Sequence, residues 1–428
     1  MKRTLNIFLV VLLLGASLLA QDLSEAKSYF NDGFYKEALE ICKPIVEQNP
    51  DNAEANFLLG RIYFKLGELS EANKYVNKAI NLDRGNQEYR EISNKMRNFA
   101  NLRSEAQRLE SKGEYVSAVE NYKKMIEENS NYATAYFDLA RVLGFRMDKP
   151  VEAAEYLKQA MEIKPEEEKF QKMYQGLSQN LLKQGMSNIK RNNFTTAYEQ
   201  FIKVTKIDPD NFYAYYFAGL AQYYNNNYQQ TLEYVNKSIE RNPEYIKSYM
   251  LKGKTYRAMN DQENAIKAYQ AAIEVDEEYA SAWDDLGSVY NNMGENQKAA
   301  NAYQRLIKLE PENGLAYTNL GAVYNQMEEY EKAIKHLKKA TELRSDEHVP
   351  WYRLAVAYNG TEQNKLAAKA ASQSLQLKSN WGPALLELGI AELRLGQKSK
   401  ARVHFKELQK IPKYKSKAEF YLDKLGNN

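Results

Sequence analysis

Apolar residues between positions 280 and 310 fall on two stripes, each with the spacing of one face of a helix. The first stripe occupies positions i, i+3, i+4 and i+7 and consists of Trp283, Leu286, Gly287 and Tyr290. The second has the same kind of spacing and consists of Ala299, Tyr303 and Leu306. Gly294 lies between the stripes and Pro311 follows them, where a turn and a helix stop are expected. The pattern predicts a helical hairpin with one apolar side.

The hairpin pattern recurs with a period of 34 residues. A small residue holds one position of the first helix over six steps, at Gly219, Gly253, Gly287, Gly321, Ala355 and Gly389. Alanine holds one position of the second helix, at Ala265, Ala299, Ala333, Ala367 and Ala401. Small residues at such places allow two helix backbones to approach closely. Because one hairpin cannot bury its apolar side alone, consecutive hairpins are expected to stack.

The unit around Trp283 resembles the tetratricopeptide repeat, whose pattern is W-x-x-L-G-x-x-Y, then A-x-x-x-F, then P. Only Tyr303 differs in kind, since it replaces the usual Phe. The resemblance implies an all-α fold, a right-handed superhelical solenoid of about eleven tetratricopeptide-type hairpins. A helix from Ser416 to Leu425, apolar on one face and charged on the other, is expected to cap the last hairpin.

The register divides the chain into five segments. They are a signal peptide at 1–20, units 1–2 at 21–86, units 3–4 at 87–165, units 5–11 at 166–415, and a capping helix with a tail at 416–428. The period breaks twice, after Asn86 and after Pro165, and helical spacing continues through both inserts. Each insert therefore predicts a lengthened first helix, which either interrupts the superhelix or projects as a contact surface.

The first twenty residues have the pattern of a secretory signal peptide. Lys2 and Arg3 precede an uncharged run from Leu5 to Ala20. That run is short for a membrane span, which needs about 20 residues. Cleavage after Ala20 is expected, with an uncleaved anchor as the alternative. The predicted location is the periplasm or the exterior of a Gram-negative-type cell, with outer-membrane association as a further option.

Charge and residue types argue against several functional classes. Of 59 Lys and Arg residues, two lie in the signal, which leaves 57 against 56 Asp and Glu. A balanced charge disfavours nucleic-acid binding. The three His residues have no metal-ligand spacing, and no catalytic or phosphate-binding motif occurs. Cys42 is the only Cys. We therefore expect no enzyme activity, no cofactor and no metal site.

The family resemblance places ligands on the concave face, which the first helices line. The corresponding positions, one step round from the core stripe, are Tyr216, Leu220, Tyr223, Met250, Lys254, Arg257, Asp284, Asn291, Asn319, Asn325, Tyr352 and Asn359. Some members hold chaperone C-termini with a clamp of Lys, Asn and Arg residues, and Asp284, Ser288 and Asn319 depart from that pattern. Asn319 and Asn325 instead resemble amides that hold a peptide backbone. For Tyr216 and Tyr223, packing against neighbouring helices remains an equal alternative.

The sequence therefore predicts an exported, non-catalytic scaffold that binds proteins or extended peptides in envelope assembly or secretion. The alternative is a binder of envelope polysaccharide, since 33 Tyr residues provide faces on which sugars can stack. Contact with a membrane is expected only through an uncleaved signal or a membrane-bound partner.

Overall fold

A computed structural model describes residues 22–426, and the predicted signal peptide lies outside this range. The chain forms two compact units that divide between Asp210 and Asn211. Between residues 22 and 426 the secondary structure is helical throughout, with no strand. The helices form eleven antiparallel hairpins, each stacked on the next within its unit. The fold is an all-α repeat solenoid, as predicted, while the five-segment division of the chain remains a prediction.

The N-terminal unit contains five hairpins, α1–α2 to α9–α10. Their bounds are α1 22–31, α2 Tyr35–Gln48, α3 Ala53–Lys65, α4 Leu69–Leu82, α5 Gln87–Ser111, α6 Tyr115–Glu128, α7 Ala133–Arg146, α8 Pro150–Ile163, α9 Glu168–Lys190 and α10 Phe194–Ile207. Two of these first helices are long, because α5 has 25 residues and α9 has 23. Both occur where the period breaks. Buried residues run along each of them, from Tyr89 to Leu109 and from Phe170 to Gly185, so neither helix projects from its unit.

The C-terminal unit contains six hairpins and a terminal helix. Their bounds are α11 Phe212–Tyr224, α12 Tyr228–Arg241, α13 Ile246–Ala258, α14 Gln262–Val275, α15 Ala280–Asn292, α16 Asn296–Leu309, α17 Gly314–Gln326, α18 Tyr330–Leu343, α19 His348–Gly360, α20 Asn364–Leu377, α21 Gly382–Arg394, α22 Lys398–Gln409 and α23 Lys415–Gly426. A 3₁₀ turn, Pro412–Tyr414, leads into α23. Ala418 and Leu425 bury one face of α23 against the last hairpin, which is the capping arrangement expected from the sequence.

Several first helices begin at an asparagine that caps them. The side chains of Asn52, Asn86, Asn211 and Asn313 each accept a hydrogen bond from a backbone N–H three residues ahead. Such a cap satisfies one of the donors that a helix start leaves unpaired. The local sequence therefore sets where these helices begin, independently of packing.

Each hairpin turns through one residue with a left-handed backbone. The residues with positive φ at these turns are Gly33, Gly67, Gly113, Asp148, Asn192, Asn226, Asn260, Gly294, Glu328, Glu362 and Gly396. Glycine adopts this conformation without penalty and Asn and Asp tolerate it, whereas other residues are strained there. Glu328 (φ 59°) and Glu362 (φ 58°) carry that strain at the positions where Gly294 and Gly396 are relaxed.

The periodic small residues lie where two helices of a hairpin meet. A Cβ atom added to Gly321 would lie 2.4 Å from Leu337 Cγ, and one added to Gly389 would lie 2.5 Å from Phe405 Cε1. A Cβ atom added to Gly287 would lie 2.9 Å from Tyr303 Cε1. The large residue is always sixteen positions after the glycine, on the second helix. The close approach predicted from the period is confirmed.

Candidate functional site

The first helices of the C-terminal unit form one surface, which we call the first-helix face. It is built from α11, α13, α15, α17, α19 and α21, and the last three of these contact each other in sequence. All twelve candidate residues lie on these helices. Their exposure and partners decide which of them a ligand could touch.

Two of the candidates are buried. Met250 is only 5% exposed and packs with Tyr269 and Leu286 in the core. Asn359 is also 5% exposed, and its Nδ2 donates to the backbone oxygen of Glu387 at 2.9 Å and to its Oε2 at 2.8 Å. The prediction that these two residues line a ligand groove is wrong, because the next hairpin covers both.

Asn359 belongs to a set of contacts that we call the first-helix ladder. In each rung, a side chain near the end of one first helix reaches a residue 28 positions later on the next. Arg257 donates to Asp285 Oδ1 at 2.6 Å, and Asn325 Nδ2 donates to the backbone oxygen of Arg353 at 2.9 Å. The hydrogen bond from Asn325 Nδ2 therefore links two successive hairpins. The Oδ1 atoms of Asn291, Asn325 and Asn359 are buried and accept no hydrogen bond within residues 22–426.

The aromatic candidates are half-buried and contact other rings. Tyr216 meets Tyr245 edge-on at 5.1 Å, and burial raises the pKa of Tyr216 to about 12. Tyr223 lies 5.9 Å from Tyr228, and its pKa is also raised, first by burial and then by Tyr228. Tyr352 meets Trp381 edge-on at 4.8 Å. Each keeps part of its surface accessible, so their role in binding stays a prediction.

The remaining candidates differ in how far they reach solvent. Lys254 is exposed, whereas Leu220, Asn319 and Asp284 are half-buried. Burial, followed by the charges of Asp285 and Glu310, raises the pKa of Asp284. None of these four residues forms a rung of the ladder found between residues 22 and 426.

Arg353 is a functional candidate that the sequence reasoning missed. It occupies, on α19, the same position as Asp285, Asn319 and Glu387 on their helices. Asp285 and Glu387 accept bonds from the ladder, whereas the Asn319 and Arg353 side chains form no hydrogen bond or ion pair with any residue from 22 to 426. Burial lowers the pKa of Arg353, and its Nε atom is inaccessible and unpaired. Because buried charges are normally paired, this half-buried guanidinium with an unpaired Nε is a candidate ligand contact. The 28-residue offset from Asn325 is the sequence signal that would have pointed to it.

Other chemistry was sought across the described part of the chain. No group of three His, Cys, Asp or Glu side chains between residues 22 and 426 is placed to hold a metal ion. Cys42 is fully buried, and burial raises its pKa to about 12. In the same range, no helix has the length and apolar character of a membrane span.

Family models confirm the nature of the repeats. The tetratricopeptide-repeat models match residues 29–95 and 314–347, and the TPR-repeat model matches residues 253–294 and 287–328. These matches lie in both units and follow the 34-residue register of the hairpins. The chain is a tetratricopeptide-repeat protein. The tetratricopeptide fold is that of protein–protein interaction scaffolds, which are generally non-catalytic and bind proteins or peptides.

Individual tetratricopeptide relatives are distant. A DnaJ homolog subfamily C member 7 homolog of Schizosaccharomyces pombe is 26% identical over 133 residues, which are 30% of this chain and 28% of that protein. The chain in the crystal structure of MamA protein is 27% identical to this one in sequence. The match covers 39% of this chain and 92% of that chain, with a TM-score of 0.37. The C-terminal part of a TPR repeat-containing protein from Cytophaga hutchinsonii is 20% identical, covering 55% of this chain and 97% of that one at a TM-score of 0.48.

Proposed function

We propose that this tetratricopeptide protein is an exported, non-catalytic scaffold that binds an extended polypeptide segment on its first-helix face. The observation that carries the binding proposal is the unpaired Nε atom of Arg353 on α19, at the position that Asn319 occupies on the preceding first helix. A guanidinium offers donors to a carboxylate or a peptide carbonyl, and an amide can both donate and accept. Together they can hold a main chain with little regard for its side chains.

The spacing of the face suits an extended chain. Packed helices are separated by roughly 8–10 Å, and an extended strand rises about 3.3 Å per residue. Consecutive first helices would therefore contact every third residue of a bound peptide. Tyr216, Tyr223 and Tyr352 supply half-buried aromatic surface along the same face, and Lys254 supplies an exposed cation. Such aromatic residues are frequent anchors in interfaces.

Replacing Arg353 with alanine is expected to weaken peptide binding by roughly tenfold or more, because a hydrogen bond to a charged group is worth about 1.5–3 kcal/mol. The probe is a set of twelve-residue peptides selected on the wild-type protein from a random display library, remeasured by titration calorimetry. Arg305→Ala is the matched control, since Arg305 lies on α16 and pairs with exposed Glu277. Equal affinity for the two variants would remove Arg353 from the site. Selective capture of polysaccharides on a glycan array, with no peptide enriched, would favour the alternative function.

Export is the second part of the proposal, and residues 1–20 support it through their basic start and uncharged run. Protein expressed in a Gram-negative host is expected to begin at Gln21 and to fractionate with soluble periplasmic material. N-terminal sequencing after cell fractionation measures both. Met1 retained on protein that only detergent extracts would show an anchor instead. Recovery of the full chain in the cytoplasm would contradict export and the proposed role in envelope assembly or secretion.

A further inference from the structure

A cavity of about 470 Å³ lies on the other side of the C-terminal unit, between the second helices α14 and α16. Its lining includes two aromatic residues of α15, Trp283 and Tyr290, together with Ala302 of α16. The other lining residues are Gln270, Ile273, Glu274, Leu286, Lys298 and Asn301. Its volume is in the range of small ligand sites. None of the twelve candidate residues lines it, so the function proposed above does not account for it.

In the next hairpin, the positions equivalent to Trp283, Tyr290 and Ala302 all carry rings. Thirty-four residues after Trp283, Tyr290 and Ala302 stand Tyr317, Tyr324 and His336. The His336 ring lies 6.0 Å from the Tyr317 ring and 5.6 Å from the Tyr324 ring, at interplanar angles of 29° and 19°. The His336 ring thus stacks with both tyrosine rings. Ala302, at the equivalent position, has only a methyl side chain.

The surroundings of the two tyrosines otherwise correspond. Gln270 donates to the Tyr290 hydroxyl at 3.2 Å, and Gln304 donates to that of Tyr324 at 2.7 Å. A lysine lies over each ring, Lys298 at 5.6 Å from Tyr290 and Lys332 at 5.5 Å from Tyr324. Yet Tyr324 is 5% exposed, whereas Tyr290 is only half-buried. Tyr324, which stacks with His336, is thus almost fully covered, whereas Tyr290 keeps open surface.

An alanine at this position does not by itself leave a gap. The hairpin after His336 has Ala370 with Trp351 and Tyr358, and Tyr358 is only 6% exposed there. That hairpin carries Leu366 where the other two carry Lys298 and Lys332. The combination of an alanine with open aromatic walls at the α14–α16 cavity is therefore not repeated in the hairpin of Ala370, although Tyr249, Tyr256 and Ala268 hold the equivalent positions one hairpin earlier and both tyrosines are half-buried there.

We propose that the cavity between Trp283 and Tyr290 is a second binding site, which takes one aromatic or imidazole side chain of a protein partner in the way that His336 occupies the next hairpin. Burial and Lys335 lower the pKa of His336, so the ring in that frame is neutral and the expected occupant is a neutral ring as well. The rim carries the amides of Gln270 and Asn301 and the charges of Lys298 and Glu274. These groups can pair with the peptide N–H and C=O groups on either side of an inserted ring.

The test uses the whole protein with blocked amino acids as probes: N-acetyl-phenylalaninamide and N-acetyl-histidinamide, with N-acetyl-leucinamide as the aliphatic control. Binding and stoichiometry are measured by NMR titration. Wild-type protein is expected to bind one equivalent of each ring probe and to bind the leucine probe more weakly, because stacking adds to burial. Ala302→His should fill the cavity and lower ring affinity by roughly tenfold or more. His336→Ala should open a second cavity and raise the stoichiometry to two.

The outcomes separate this site from the proposed first-helix function. Peptide binding that depends on Arg353 should be unchanged in Ala302→His, and ring binding should be unchanged in Arg353→Ala. No saturable ring binding by the wild type, equal ring binding by the wild type, Ala302→His and His336→Ala, or equal affinity for the leucine probe would overturn the proposal. If Ala302→His fails to fold, the stoichiometry of His336→Ala still decides, since a value of one or zero contradicts the shared frame.

Discussion

Replacing Phe405 with alanine is expected to lower the free energy of unfolding of the C-terminal unit by about 3–5 kcal/mol, as for other buried aromatics. Phe405 has no exposed surface and fills the space that Gly389 leaves open. Its ring also stacks on the ring of Tyr421 of α23, with 4.8 Å between the centroids. The substitution therefore also removes a packing contact of the capping helix. Urea unfolding followed by circular dichroism measures the loss, and hydrogen exchange should show it concentrated in α21, α22 and α23, since solenoid stability is summed locally.

Val403 provides the matched control on the same helix. It is 58% exposed, and Val403→Ala should change stability by no more than about 0.5 kcal/mol. Similar stability of the two variants would mean that Phe405 does not occupy the interior of the last hairpin. A uniform loss of protection over all six hairpins would instead contradict the local summation expected of a repeat stack.

The second large effect concerns an ion network in the N-terminal unit. Glu110, at the end of long α5, accepts two bonds from Arg141 at 2.7 and 2.8 Å and a third from the Tyr122 hydroxyl at 2.6 Å. Its side chain is 11% exposed. Glu110→Ala should cost about 3 kcal/mol, near the low end for a broken buried pair because Arg141 keeps about a third of its surface in water. Denaturant unfolding of the variant measures this cost.

Glu105 on the same helix is the control, because it pairs with Arg108 at the surface and its removal should leave the stability nearly unchanged. Adding Arg141→Met to Glu110→Ala should recover part of the loss, since it removes a partly buried charge that would otherwise keep only a 3.9 Å ion pair with Asp138. No difference between Glu105→Ala and Glu110→Ala would show that Glu110 is not an interior partner.

The helices could be predicted from the sequence because their causes are local. The stripe at Trp283, the turn at Gly294 and the stop at Pro311 each need only neighbours within a few positions. Stacking then follows from the repetition of Gly321 and Ala333 at 34-residue steps. Even the irregular helix α5 was predictable, because apolar spacing continues unbroken from Tyr89 to Leu109.

The first-helix face was harder to predict because it depends on how successive hairpins are rotated against each other. Met250 and Asn359 lie one step round from the core stripe, where a single hairpin would expose them, but the adjoining hairpin buries both. Arg353 was missed for the complementary reason, since its isolation is visible only once Asp285 and Glu387 are seen to have partners. The 34-residue period identifies equivalent positions, but it does not show which residues of successive hairpins contact each other.

The first-helix ladder also governs which hairpins could be exchanged by recombination. Asn325 bonds to a main-chain oxygen, which any residue supplies, so the hairpin after it could be replaced by a foreign one without losing that rung. Arg257 bonds to a carboxylate, so its successor must carry an acid at one defined position. Duplication and shuffling of repeats are therefore permitted more freely after Asn325 than after Arg257. Within one solenoid, some hairpins can therefore be followed by any hairpin, whereas others need a following hairpin with a specific side chain at one position.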